Sequence, residues 1–217
     1  EPMVEQAVAL GYEALALTDH DGLYGAMEFA KIAQANDIRP IVGAEITLTG
    51  GYHLTLLAET AIGYANLCRL ITHAYMDHSS LPSRLVGKGK GEPFHPYATG
   101  KGKGEPEVTF DVLAEHTTGL IALSGCKRGE IPSLISAGHS ERAEAAARRY
   151  LKWFGRRNFF IELQQNLALG DTTRNAALVE LAERLGLGCV ATNNVHYHVR
   201  ERHRLHDVLV AIRHRTT

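Results

Sequence analysis

Ala14-Leu15-Ala16-Leu17-Thr18-Asp19-His20-Asp21-Gly22 decides how the rest of the chain is read. Four apolar residues bounded by charge and glycine read as a buried strand. A helical pattern opens directly afterwards, at Tyr24. Polar residues between the carboxyl end of a buried strand and a helix stand where α/β folds carry their chemistry. Asp19 and His20 offer a carboxylate oxygen and an imidazole nitrogen, ligand types that suit zinc, manganese or iron. Taken alone, the stretch reads as well as an aspartate helix cap beside a surface histidine. Recurrence favours the ligand reading, because later strands end in the same way.

Working outward, helices are predicted over residues 1–10, 24–36, 61–76, 110–116, 129–137, 140–154 and 172–185. A basic helix follows, carrying Arg200, Arg202, His203, Arg204 and His206. Short apolar runs between them predict strands. Residues 38–42 run into Gly43-Ala44-Glu45. A hairpin-like Gly50-Gly51 turn leads into 53–58, with His53 at its mouth. Residues 119–123 run into Ser124-Gly125-Cys126, and 188–191 into Thr192-Asn193-Asn194-Val195-His196-Tyr197, while 158–163 is a further strand. Strand and helix alternate about six times, the signature of a parallel (β/α) barrel with its site at the carboxyl face. Judged singly, Glu45 is a solvated strand end and Cys126 a small core residue. Together His20, Glu45, His53, Cys126 and His196 mix imidazole, carboxylate and thiolate, which suits a multinuclear divalent-metal site that hydrolyses a phosphate ester.

Composition narrows the field. The chain has 217 residues, 45% hydrophobic, with a formal net charge of −1, so charge alone predicts neither nucleic-acid nor membrane binding. No apolar run approaches the roughly 20 residues of a membrane span. Cys68, Cys126 and Cys189 are odd in number and far apart, which argues against a disulfide framework and for a reducing, cytoplasmic setting. Residues 87–93 and 100–106 both read Gly-Lys-Gly-Lys-Gly-Glu-Pro, so 80–107 is predicted to be a flexible Gly/Lys-rich insert. The chain starts without Met inside a helical pattern and stops just after one, which reads as a piece of something longer. There is no P-loop, G-x-G-x-x-G or G-x-S-x-G.

Leu17-Thr18-Asp19-His20, Gly43-Ala44-Glu45, His53 through Glu59, Leu123-Ser124-Gly125-Cys126 with Gly129-Glu130-Ile131, and Ala191 through Tyr197 resemble the PHP (polymerase and histidinol phosphatase) domain. The variant is that at the N-terminus of bacterial DNA polymerase III alpha subunits, and the tail from Asp207 is most similar to the error-prone, translesion branch. The resemblance implies a distorted seven-stranded (β/α) barrel, here without its first strand, spanning residues 1–217. It implies a metal site, with zinc or manganese on His20, Glu45, His53, Cys126, Asn194 and His196, and Asp19 behind them. It also implies a parent DNA polymerase whose nucleotidyl-transfer centre lies elsewhere, with the other polymerase domains and DNA as partners and no membrane. This domain would then act as a phosphoesterase or exonuclease, or persist as scaffold. Asn194 departs from the family, which has Asp there, and an amide brings no negative charge to a cation. The alternative is a free-standing metal-dependent phosphatase of the histidinol-phosphatase type.

Overall fold

Among the described residues, one sheet carries a cluster of buried polar side chains on one face and packs the main core against the other. In the computed structural model, residues 1–76 and 106–214 are described. The elements run α1 (Pro2–Ala9), β1 (Ala14–His20), α2 (Ala26–Ala35), β2 (Arg39–Leu48), β3 (Tyr52–Ala58), α3 (Ala61–Met76), α4 (Phe110–Glu115), β4 (Leu120–Leu123), α5 (Glu130–Ser136), α6 (Ser140–Phe154), β5 (Phe159–Gln164), α7 (Asp171–Leu185), β6 (Gly188–Thr192) and α8 (His203–His214). The insert expected over 80–107 lies, up to residue 105, outside the described residues.

The six strands lie in sequence order and curl into a half-barrel. The strand–helix alternation predicts parallel neighbours, and this holds for β1–β2, β4–β5 and β5–β6. It fails at β3, which is antiparallel to both β2 and β4. The reason is local. A parallel return needs a crossover of a dozen residues or so, whereas Leu48 and Tyr52 are joined by a short turn in which Gly50 and Gly51 take φ of +91° and +79°. Glycine adopts such angles without a side-chain penalty.

A second correction concerns β2. It was expected to finish at residue 42, but it continues to Leu48, so Glu45 lies within the strand and not past its end. β2 pairs with β1 through Glu45 and with β3 from Gly43 onward, and this two-sided pairing keeps the strand going.

Alternation along the strands separates the two faces. Ala44, Ile46, Leu48, Leu54, Leu56, Ala122, Phe159 and Ile161 point outward and form the main core with Leu67, Leu70, Ile131, Ala147, Tyr150 and Leu178 from the helices. A smaller cluster packs α1 and α2 on β1 through Val4, Ala7, Phe29, Ala33 and Ile38, against Leu15 and Leu17. The opposite, concave face is polar, and it carries the residues described next.

Candidate metal centre

Register brings the first three candidates together. In the parallel β1–β2 pair His20 lies opposite Glu45. In the antiparallel β2–β3 pair Thr47 lies opposite His53 and Glu45 opposite Thr55, which makes Glu45 and His53 diagonal neighbours on one face. Because β3 runs backwards, its amino end reaches the level where β1 finishes. His20 Nδ1 is 3.0 Å from Glu45 Oε1, and His53 Nδ1 touches the same oxygen. The two rings meet edge to face, with centroids 5.6 Å apart. Among the described residues, these three form the His/Cys/Asp/Glu group whose ligand atoms all lie within 4.8 Å of one another.

Cys126 joins them from the turn after β4, with Sγ 3.6 Å from His53 Nδ1. Two backbone features hold that turn on β3. The His53 amide donates to the Arg128 carbonyl at 3.1 Å. Gly125, at φ +85°, lies so close to β3 that a Cβ there would stand 2.3 Å from the His53 carbonyl oxygen. Only glycine fits both the angle and the approach.

The electrostatics follow from burial. Glu45 and His53 are each 6% exposed and Cys126 is 8% exposed. Burial pushes the Glu45 carboxyl upward, but the imidazoles of His20 and His53 outweigh it and hold the group well below the ordinary carboxylate range. Burial, with Glu45 nearby, pushes the Cys126 thiol up to about 12. Glu45 Oε1 is buried and accepts no hydrogen bond of good geometry, although two ring nitrogens crowd it. An orphaned carboxylate oxygen facing imidazole nitrogens, with sulfur adjacent, is a donor set that fits a zinc-like cation. The residues therefore fit the group that the sequence implies.

The other candidates are placed differently. Asp19 faces away from the cluster, as its neighbour position on a strand requires, and its Oδ2 accepts from the Gly25 amide at 2.9 Å just before α2. Asn194 and His196 lie on the exposed segment after β6, Asn194 at φ +47°. The His196 ring stacks on His206 of α8 at 4.7 Å. Two further acidic residues were not singled out from sequence. Asp21 fastens β1 to β2 by accepting from the Thr47 amide (2.6 Å) and the Thr47 hydroxyl (2.9 Å). Glu162 is 4% exposed on the concave face of β5. A lone charge inside Phe159-Phe160-Ile161-Glu162-Leu163 was the available signal.

The PHP domain profile matches residues 1–166, most of the chain and all of the strands that carry His20, Glu45 and His53. The chain belongs to the PHP domain family. Among sequence relatives of this PHP domain, the error-prone DNA polymerase of Symbiobacterium thermophilum is 46% identical over 215 residues, 98% of this chain and 19% of that protein. The DNA polymerase III subunit alpha of Thermus aquaticus is 40% identical over 219 residues, 94% of this chain and 16% of that protein. The chain thus spans less than a fifth of the length of these curated relatives. Two solved structures share the fold. One, described as an amidohydrolase from Chromobacterium violaceum with bound sulfate and no metal, gives a TM-score of 0.57 at 18% identity, covering 91% of this chain and 81% of its own. The other, described as a candidate metal-dependent phosphoesterase from Bifidobacterium adolescentis, gives 0.54 at 15% identity, covering 91% and 82%. No helix among the described residues is long and apolar enough to cross a membrane.

Proposed function

We propose that this PHP domain, residues 1–217 with an insert at 80–107, is the N-terminal part of a cytoplasmic error-prone DNA polymerase of the polymerase III alpha type. Near-complete coverage by relatives that are polymerases, at 46% and 40% identity, favours this over a free-standing phosphatase. In that setting the rest of the polymerase chain and DNA are its partners, and nucleotidyl transfer belongs to residues outside this domain.

The site's role rests on one observation, the orphaned Glu45 Oε1 between His20 Nδ1 and His53 Nδ1. His20, Glu45, His53 and Cys126 would hold zinc or manganese, with Asn194 and His196 approaching from the segment after β6 and Asp19 holding the start of α2. Bound there, a divalent cation supplies Lewis-acid polarisation of a phosphoryl oxygen. Glu45 gives the four-residue cluster its carboxylate charge, and burial keeps that charge unscreened. Asn194 adds no second charge, so closely spaced cations are poorly held and the domain serves mainly as scaffold.

Metal content and nuclease assays test this reading. Purified protein dialysed against Mn(II) is expected to retain less than a full complement by mass spectrometry and to leave primer 3′ ends intact. Asn194→Asp is expected to raise bound metal. Chelator-sensitive primer degradation by the unaltered protein would overturn the scaffold reading. An unchanged metal content in Glu45→Gln would overturn the site itself.

A further inference from the structure

Glu162 is a buried carboxylate that the cluster does not use, and it is tied to three strands at once. Its Oε2 accepts from the Thr55 hydroxyl of β3 at 3.2 Å. Its Oε1 accepts from Thr192 Oγ1 of β6 at 2.6 Å and from Gln164 Nε2 of its own strand at 2.9 Å. Its backbone amide donates to Ser124 Oγ at 2.9 Å, at the start of the turn that carries Cys126. β3 and β5 are not neighbours, since β4 lies between them, so the Thr55 contact crosses the concave interior of the sheet.

The positions of its partners give this carboxylate its meaning. Thr55 is two residues from His53 on the same face and lies opposite Glu45. Thr192 is the last residue of β6, two before Asn194 and four before His196. β6 is an exposed strand that pairs, among the described strands, with β5 alone. Beyond that ladder, the Thr192 hydroxyl ties the end of β6 to the sheet interior by donating to Glu162. A charged acceptor makes that bond stronger than a neutral pair would, and the low-dielectric interior strengthens it further.

We propose that Glu162 is a positioning residue that locks the end of β6 to the His53 strand and so sets where Asn194 and His196 stand relative to the cluster. It acts through Thr192 and Thr55 and touches no ligand itself. The inference rests on the metal-site reading above, and its test is built to fail separately from that reading.

The test uses Thr192→Val, which removes the hydroxyl at nearly constant shape, and Thr192→Ser, which restores it. Two readouts are followed in the full chain. The first is hydrogen exchange of amides 190–197 in chelator, which needs no metal. Exchange there is expected to rise at least tenfold in Thr192→Val and to return towards the unaltered rate in Thr192→Ser, while β2 and β3 amides keep their protection. The second is Mn(II) titration followed by electron paramagnetic resonance. Thr192→Val is expected to bind more weakly by about tenfold with an altered line shape, and Thr192→Ser to recover both. Unchanged exchange at 190–197 in Thr192→Val overturns the brace, whatever Mn(II) does. A raised exchange with an unchanged Mn(II) affinity and line shape also overturns it, because β6 would then move without consequence for the site. Absence of Mn(II) binding in the unaltered protein defeats the metal-site reading instead, and the exchange data then decide the brace alone.

Discussion

The two halves of the proposed site are built in different ways. His20, Glu45 and His53 stand on three adjacent strands, and each is placed by a ladder register that cannot slip without turning the core face to solvent. Asn194 and His196 stand on an exposed segment beyond the last strand, with His196 stacked on His206 and not grouped with the three. The first half is preorganised by the same hydrogen bonds that make the sheet. The second depends on what fixes the end of β6. Donors held by a sheet meet a cation with their geometry already set, whereas donors on a loop must be ordered when they bind.

The sharpest way to break this contrast is Glu45→Gln. Removing the carboxylate charge from the cluster is expected to weaken Mn(II) binding by at least about 100-fold, beyond the range seen for residues that only support ligands. Calorimetric titration measures it, and a loss of tenfold or less would mean that the strand-borne half is not the principal binding element.

Gly125→Ala comes next, because it strikes the turn that brings Cys126 in. The left-handed angle alone costs about 1–2 kcal/mol, and the new Cβ would collide with the His53 carbonyl, 2.3 Å away. Gly170→Ala is the matched comparison, at φ +88° with nothing within 4 Å of the added atom. Denaturant melts should show Gly125→Ala losing clearly more stability than Gly170→Ala. Equal losses would show that the turn yields freely and does not hold Cys126 in place.

A smaller effect sharpens the comparison at a second loop on the carboxyl edge. Arg174 and the amides of Asn166 and Ala168 hold the Asp171 carboxyl below its ordinary 3.8. A carboxyl depressed in the folded state stabilises above its unfolded value, and that stability disappears as pH falls through the folded value. The unaltered chain should therefore lose melting temperature below about pH 4 more steeply than Asp171→Asn does. Parallel pH profiles would count against this pinning.

The smallest change is expected at His196. Exposed and stacked on His206, it should tolerate Ala within about 0.5 kcal/mol of stability, while its Mn(II) affinity falls by less than that of Glu45→Gln. A greater affinity loss at His196 than at Glu45 would reverse the proposed division of labour.

Sequence by itself determined the alternation of strands and helices, the hairpin glycines at 50 and 51, and the ligand types His20, Glu45, His53 and Cys126. All of these follow from local periodicity, turn chemistry and side-chain identity, which neighbours in the chain suffice to specify. The family resemblance put Asp19 behind His20, but periodicity alone could not say which face each takes, because adjacent strand residues simply alternate. The sheet settled that by putting His20 with Glu45 and Asp19 against the Gly25 amide. The extension of β2 past Glu45 and the roles of Asp21 and Glu162 were decided only by tertiary structure. Each depends on a partner distant in sequence, Thr47 for Asp21 and Thr55 with Thr192 for Glu162. Pairing between remote strands is set by burial summed over the whole sheet, and no local window of sequence contains that sum.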